Sequence, residues 1–219
     1  MTNPNPVIVE LGISTEHELA PLGLSEAIVR KIAEAVAGSK AEALPIDPLS
    51  APGTLAYIQG IRGIRRALLP KGWRMNRKGN VESTINDELG IQLLFQNVDR
   101  ACSSSDPQAI SKKGTASRKL VEDGQGELFG TTSANKNYSS PAEKIGSKPV
   151  VWMLCVSSDD RGLQAEVSCP KIFDGEQFDG FHKRIFVIND KYDPEVSEHN
   201  ISYAPDAPSE DFEIKIVKK

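Results

Sequence analysis

The sequence predicts an α+β protein, with N-terminal helices and one strand followed by a mostly antiparallel β-meander that packs on them. Three observations lead to this class. Apolar residues recur with the helical period in the N-terminal third, they alternate with a period of two in the C-terminal third, and the two patterns do not interleave along the chain. Helices that precede strands favour an α+β architecture over repeated βαβ units.

The N-terminal third begins with a strand and an amphipathic helix. Residues 6–13 are rich in β-branched side chains and contain a closing glycine, which predicts a short strand at a sheet edge. From residue 24 to residue 36 the apolar side chains fall on one arc of a helical wheel and the charged side chains on the other. Ser25 is the predicted cap of this helix, and Gly38 lies near its predicted end.

A second helix is predicted from Pro52 to Leu69, because proline is favoured in a first turn and Pro70 follows the last residue. Its apolar face comprises Tyr57, Ile58, Ile61, Ile64, Leu68 and Leu69. Its opposite face carries small residues, namely Ala56, Gly60, Gly63 and Ala67. Each interior glycine costs a helix about 1 kcal/mol relative to alanine, so this face predicts the close approach of a backbone or a ligand.

Shorter patterns predict the remaining elements. Alternation over residues 89–96 predicts a strand, and residues 115–122 predict a short helix. Residues 131–148 are rich in Ser, Thr, Asn and Lys, which predicts a mobile loop or linker. The strands of the meander are expected at residues 150–156, 163–170, 183–190 and 211–219.

These boundaries divide the chain into a helix-rich part, residues 1–130, the loop at 131–148, and the meander at 149–219. A chain of 219 residues suits one sizeable domain or two small ones. We expect the meander to share one core with the helix-rich part.

The composition predicts the cellular location of the protein. The three cysteines, Cys102, Cys155 and Cys169, are odd in number and widely spaced, and no signal-peptide pattern starts the chain, which predicts a reducing, cytoplasmic location. The longest strongly apolar run, residues 149–156, is far shorter than the roughly 20 residues that cross a bilayer. We therefore expect an intracellular protein with no membrane partner, in which Cys155 and Cys169 pack in the core.

Charge is distributed unevenly along the chain. The formal net charge is −4, yet residues 62–119 contain twelve basic and five acidic residues, a local net charge of +7. Such an excess predicts contact with the phosphates of nucleic acid, through release of counterions. The predicted contacts are Arg62, Arg66, Lys71, Trp73, Arg74, Arg77, Lys78, Lys112, Lys113, Arg118 and Lys119. Trp73 could stack on an unpaired base, although a core or hinge role is favoured for it.

A protein partner is the alternative interpretation of the same segment. Residues 157–219 have a net charge of −6 and offer a complement to the basic segment. The chain would then be an interaction or assembly module that docks an acidic surface on a second copy or on another protein, with the small-residue helix face as part of the contact.

Arg65 is expected to have a structural role that differs from that of its basic neighbours. The wheel places it inside the apolar arc, whereas Arg62 and Arg66 lie on the polar edge. An arginine on a packed face meets a carboxylate or extends past its neighbours to water. The candidate partners are Glu82, Asp87 and Glu88.

The sequence contains little that points to catalysis. The histidines, His17, His182 and His199, are far apart, and no established catalytic, zinc or nucleotide-binding motif accompanies them. We therefore expect a non-enzymatic accessory protein with no cofactor. A metal-dependent nuclease is a minor alternative, because Glu82, Asp87, Glu88 and Asp99 flank one predicted strand beside the basic segment.

Overall fold

A seven-stranded mixed sheet forms the centre of the protein. The structure, a computed structural model, describes residues 5–111, 114–129, 148–171, 173–174 and 177–191. The helices are α1 (Ile13–Leu19), α2 (Glu26–Ala41), α3 (Ala51–Leu68) and α4 (Thr115–Phe129). The strands are β1 (Val7–Val9), β2 (Arg74–Asn76), β3 (Ser83–Asn86), β4 (Ile91–Asn97), β5 (Val150–Asp159), β6 (Gly162–Pro170), β7 (Phe173–Asp174), β8 (Gln177–Phe178) and β9 (Phe181–Lys191).

The order of the sheet is β1-β9-β6-β5-β4-β3-β2, and β7 and β8 form a separate hairpin. Helices α1 to α3 cover one face of the sheet and form with it the helix-side core, which contains residues from Leu19 to Ile188. Helix α4 and the loop at residues 98–111 cover the other face and form the loop-side core. How the chain divides into domains stays a prediction. None of the described helices is long and apolar enough to cross a membrane.

The predicted α+β class is confirmed, but the prediction of a mostly antiparallel meander is wrong. Strand β4 pairs with β5 in parallel, and β1 pairs with β9 in parallel. Parallel neighbours require a crossover connection, and α4 provides it between β4 and β5. This helix is longer than the predicted one, because it continues to Phe129.

The N-terminal elements agree only roughly with the prediction, since β1 ends at Val9 and helix α1 begins at Ile13, inside the predicted strand. Strand β1 lies at an edge of the sheet, and the Ser25 hydroxyl accepts a hydrogen bond from the Ile28 amide at 3.3 Å, which caps α2. Gly38 does not end α2, since the helix continues to Ala41. Helix α1 and the β2–β3 hairpin were not predicted, because each element is too short to show a period. The last predicted strand and most of the predicted linker lie outside the described residues.

Helix α3 is close-packed at the two glycines of its small-residue face. The aromatic ring of Phe95 on β4 lies against Gly60, where an added Cβ atom would be 2.3 Å from a ring carbon. At Gly63, an added Cβ atom would be 3.1 Å from the Ile32 side chain of α2. The approach that the glycines indicate is therefore made by one strand side chain and one helix. In contrast, Tyr57 and Ile58, from the predicted apolar face, are 39% and 46% exposed.

A buried ion pair lies on the loop-side face of the sheet. Arg184 on β9 and Glu166 on β6 are both 0% exposed. The Arg184 Nε and Nη2 atoms donate to the two Glu166 carboxylate oxygens at 2.8 and 2.7 Å. Arg184 Nη1 also donates to the carbonyl oxygens of Ser103 and Ser105, and Glu166 accepts a hydrogen bond from the Cys102 amide at 2.7 Å. The pair thereby attaches the 98–111 loop to the sheet.

A β-bulge in β9, next to this ion pair, changes which side of the sheet the following side chains face. Ala165 pairs with Ile188 and Glu166 pairs with Phe186, so Val187 is an extra residue in β9. Val187 and Ile188 consequently both belong to the helix-side core, while Phe186 belongs to the loop-side core. The bulge therefore allows one strand to supply the ion pair and a continuous apolar face.

Alanine substitutions in α3 will show how closely it packs. Gly60→Ala should destabilise the fold by about 1–3 kcal/mol, since the new methyl group overlaps the Phe95 ring. Gly53→Ala is the matched control in the same helix, where nothing lies within 4 Å of an added Cβ. It should stabilise the fold by up to about 1 kcal/mol through helix propensity. Urea unfolding measures both changes, and a Gly60→Ala protein as stable as the control would contradict the packing described.

Removal of one member of the buried ion pair should be severe. Arg184→Met leaves the Glu166 carboxylate buried without a cation, so we expect a loss of about 3–5 kcal/mol in the free energy of unfolding. Arg30→Met, which breaks the exposed Arg30–Asp190 pair at 2.6 Å, should cost less than about 1 kcal/mol. Adding Glu166→Leu to Arg184→Met should recover part of the loss, because no buried charge then remains. Equal effects of the two single arginine variants in urea unfolding would refute this role.

Candidate functional site

A groove with an apolar floor and an arginine rim lies between α3 and the β2–β3 edge of the sheet. We name it the arginine groove, and its volume is about 530 Å³. Its lining consists of Tyr57, Ile58, Ile61, Arg62, Arg65, Arg66, Leu69, Met75 and Glu82. Three of these nine residues are arginines and one is an acid, so the groove combines apolar surface with a positive rim.

The floor lies where α3 packs on β3 and β4, near the edge strand β2. The buried positions of α3 are Ala56, Gly60, Ile61, Ile64 and Leu68, which face the helix-side core. Tyr57 and Ile58 lie on the side toward β2, the edge strand, where the sheet ends. Met75 of β2 is 50% exposed on the opposite wall. Tyr57, Ile58 and Met75 are therefore partly open to solvent.

Arg65 is held in the groove by an ion pair. Its Nη2 atom donates to Glu82, one of the three carboxylates expected as partners, and Arg77 lies 3.4 Å from the same carboxylate oxygen. The Arg65 side chain is mostly buried and that of Glu82 is half-buried. Burial, with a smaller contribution from Glu82, raises the pKa of Tyr57 beside this pair. The charge of Arg65 is thus largely compensated within the groove.

Five exposed cations of the predicted set have no ion-pair partner among the described residues. They are Arg62, Arg66, Lys71, Lys78 and Lys119. Arg62 donates to the Gln59 side-chain oxygen at 3.2 Å, which is a neutral contact. We name these five the basic surface.

Two other predicted contacts are exposed but already paired. Arg74 donates to both carboxylate oxygens of Asp87, at 2.6 and 2.8 Å, and this bidentate contact lowers the pKa of Asp87. Arg77 shares Glu82 with Arg65. A phosphate would have to compete with these carboxylates, so Arg74 and Arg77 are weaker candidates for a contact than the basic surface.

The structure brings the two basic parts of the sequence together. An added Cβ at Gly79, in the turn Lys78–Asn80, would lie 3.3 Å from the Cβ of Ala116 in the first turn of α4. Lys78 and Lys119 are thereby carried on neighbouring elements. Arg118 is half-buried and donates to the Thr115 hydroxyl at 3.4 Å. Lys112 and Lys113 lie outside the described residues.

Trp73 is part of the helix-side core and is 5% exposed. An added Cβ at Gly23 would be 3.2 Å from its ring, so Trp73 packs against the turn that follows α1. The ring is enclosed, and we leave Trp73 out of the proposed contact set. Tyr57, which the sequence placed on a packed face, is the exposed aromatic residue at the groove.

A second groove lies between α2 and α3, with a volume of about 500 Å³. We name it the interhelix groove. Small residues such as Ala35, Gly63 and Ala67 line it, and Lys31, Arg66 and Lys71 are its cations. Arg66 lines both grooves and therefore lies on the ridge that separates them.

Metal or thiol chemistry has little support in the described residues. Of the carboxylates considered as metal ligands, Glu82 and Asp87 are paired with arginines. No group of three or more His, Cys, Asp or Glu side chains within the described ranges could hold a metal ion. All three cysteines are buried, and burial raises the pKa of Cys102 and of Cys169 to about 12. These two thiols are therefore held in the neutral form, and the Cys102 thiol donates to the carbonyl oxygens of Ala165 and Ile188 at 3.2 and 3.1 Å.

No protein-family model matches the chain, and no curated protein and no solved structure matches it significantly. The functional argument consequently depends on the geometry and charge of the two grooves and the basic surface.

Replacing the arginines of α3 one at a time should show that they contribute differently to stability. Arg65→Ala should cost about 1–2 kcal/mol in unfolding free energy, because it leaves the half-buried Glu82 with only the exposed Arg77. Arg62→Ala and Arg66→Ala should each stay within about 0.5 kcal/mol of the wild type. Chemical denaturation of the three variants measures this difference. An Arg65→Ala protein that is as stable as the other two would show that the ion pair contributes nothing to the fold.

Proposed function

We propose that this chain is a non-enzymatic accessory protein that contacts nucleic acid through the basic surface. The observation that carries the proposal is the set of five exposed cations without an acidic partner among the described residues, in a segment whose net charge is +7. Uncompensated cations on one part of a protein attract a polyanion by releasing its condensed counterions. The local excess explains how a protein with a net charge of −4 could still bind phosphates.

The cations fall into two groups, one on α3 and the turn after it, and one on α4 and the turn that contacts α4. Arg62 and Arg66 are one helical turn apart on α3, and Lys71 lies in the turn after the helix. Lys78 and Lys119 extend the basic surface to α4. Because contacts to phosphate position a strand and do not read bases, this surface supports affinity without sequence preference.

An acidic protein partner is the second candidate, and the apolar floor of the arginine groove favours it. Interfaces between proteins combine an apolar centre with a polar rim, and the groove has both. The partner would be an acidic segment with apolar side chains, on another protein or on a second copy of this chain. Sizing at low salt tests the second-copy version, which fails if the chain stays monomeric at high concentration. A metal-dependent nuclease has no support beyond the acids near β3, and we do not propose it.

Affinity across a salt series tests the leading proposal. Fluorescence anisotropy with labelled oligonucleotides should show log K falling linearly with log salt, with a slope of about −3.5 for a single strand if all five cations engage. The double variant Arg62→Ala, Arg66→Ala should reduce the magnitude of the slope by about 1.4.

The control for that variant is Arg100→Ala with Arg161→Ala, which removes the same amount of charge from exposed pairs outside the basic surface. It should leave the slope nearly unchanged. An equal effect of the two double variants would show that net charge, and not this surface, controls binding. Absence of binding to any oligonucleotide at about 50 mM salt, where phosphate contacts are strong, would overturn the proposal.

A further inference from the structure

We infer that the arginine groove takes an unpaired base of a single strand, with Tyr57 stacking on that base and Arg62 and Arg66 holding the adjacent phosphates. This inference rests on the proposed function and adds the class of nucleic acid and the residue that selects it. It transfers the stacking role from the enclosed Trp73 to a residue at the opposite end of α3.

The chemistry of the groove distinguishes a single strand from a duplex. Its floor, made of Tyr57, Ile58, Ile61, Leu69 and Met75, is apolar and open to solvent. A duplex presents phosphates and groove edges at its surface, while the faces of its bases are stacked inside. A single strand presents phosphates and apolar base faces together, which matches a basic rim beside an apolar floor.

Tyr57 has the exposure and the support from the core that a stacking platform needs. It is 39% exposed at the groove, and the ring of Phe95 supports it from the core at a centroid distance of 6.3 Å and an interplanar angle of 57°. Phe95 is itself fixed against Gly60. An aromatic ring that is supported on one side and exposed on the other loses little conformational entropy when a base stacks on it.

The charged groups of the groove determine the orientation of the bound nucleic-acid strand. Glu82 is the carboxylate in the lining, and it already engages Arg65 and Arg77, so a phosphate gains less near β3 than at an arginine without an acidic partner. Arg62 and Arg66 on the other side of the groove have no carboxylate partner among the described residues. Phosphates are therefore favoured over α3 and the base is directed inward, toward Tyr57 and Met75.

The nucleic-acid strand can continue beyond the arginine groove, across Arg66 and into the interhelix groove. Arg66 lies on the ridge between the two grooves, and Lys31 and Lys71 line the interhelix groove beyond it. An acidic peptide could also occupy the arginine groove, but this continuation of cations suits a polymer with a charge at every unit. We therefore favour single-stranded nucleic acid and make the acidic peptide an outcome of the test.

The test compares a labelled single strand with a duplex of the same length, about 20 nucleotides, long enough to cover the sites that single-strand-binding domains occupy. The single strand should bind more tightly to the wild-type chain. Tyr57→Ala should weaken single-strand binding about 5- to 100-fold, the range for one stacked base, and should leave duplex binding unchanged. Tyr57→Phe should retain the affinity, because the ring is kept.

Two controls separate stacking from a general loss of structure. Ile13→Ala removes a fully exposed apolar side chain on α1, which does not line the groove, and should have no effect on either ligand. Thermal melts of the Tyr57 variants should show that each protein is folded at the temperature of the binding assay. Photo-crosslinking of a strand that carries a halogenated pyrimidine should label the peptide that contains Tyr57.

The possible failures are distinguishable. If neither ligand binds at low salt, the proposed function is wrong and the inference falls with it. If both ligands bind equally and Tyr57→Ala changes neither affinity, phosphate binding stands and the stacking site is wrong. If only an acidic, phenylalanine-containing peptide binds, and Tyr57→Ala weakens it, the groove is a protein-docking site and the inference is overturned.

Discussion

The buried pair of Arg184 and Glu166 is the constraint on which the rest of the fold depends. Removing two charges from water is costly, and the cost is offset only where every polar atom finds a partner. Here the partners include backbone groups of the loop at residues 98–111, so satisfying the pair also fixes that loop on the sheet. The loop leads from β4 to the crossover helix α4, and Gln125 of α4 donates to the carbonyl oxygens of Val151 and Pro170 at 2.8 and 2.9 Å. Strand β4 pairs in parallel with β5 across this crossover, and β2 is the edge strand whose Met75 lies beside α3.

Helix α3 connects the core to the candidate site. Its glycines allow the Phe95 ring and helix α2 to approach on one side, and this contact fixes the rotation of the helix about its axis. The same rotation turns Arg62 and Arg66 outward and leaves Tyr57 half-covered at the sheet edge. The affinity proposed for the basic surface and the selectivity proposed for the groove therefore depend on the packing of residues that touch no ligand.

The sequence predicts those parts of the fold that local periodicity determines. Helices α2 and α3 and the strands β4 and β6 have a repeated pattern of adequate length, whereas the edge strand β1 is predicted from its β-branched residues. Strand pairing depends instead on contacts between distant residues, which explains why the parallel pairs were missed.

The charge pattern identified the cations of the candidate site, but only the tertiary structure shows which ones already have acidic partners. The exposure of Tyr57 was not predictable either, because a wheel shows that a face is apolar and not whether a neighbour covers it.

The distribution of acids explains why five cations keep no acidic partner among the described residues. Segment 62–119 contains five acidic residues, and four of them form pairs with arginines: Glu82 with Arg65 and Arg77, Asp87 with Arg74, Asp99 with Arg100, and Asp106 with Arg184. These pairs lie beside the groove, at the β2–β3 edge and in the 98–111 loop, and none of them includes a cation of the basic surface. Pairing of this kind compensates the charges that shape the fold while the field of the remaining cations is retained at α3 and α4. Placing the same acids beside Arg62, Arg66 and Lys71 would have weakened that field at the same net charge, so the position of the acids matters to the candidate site as well as their number.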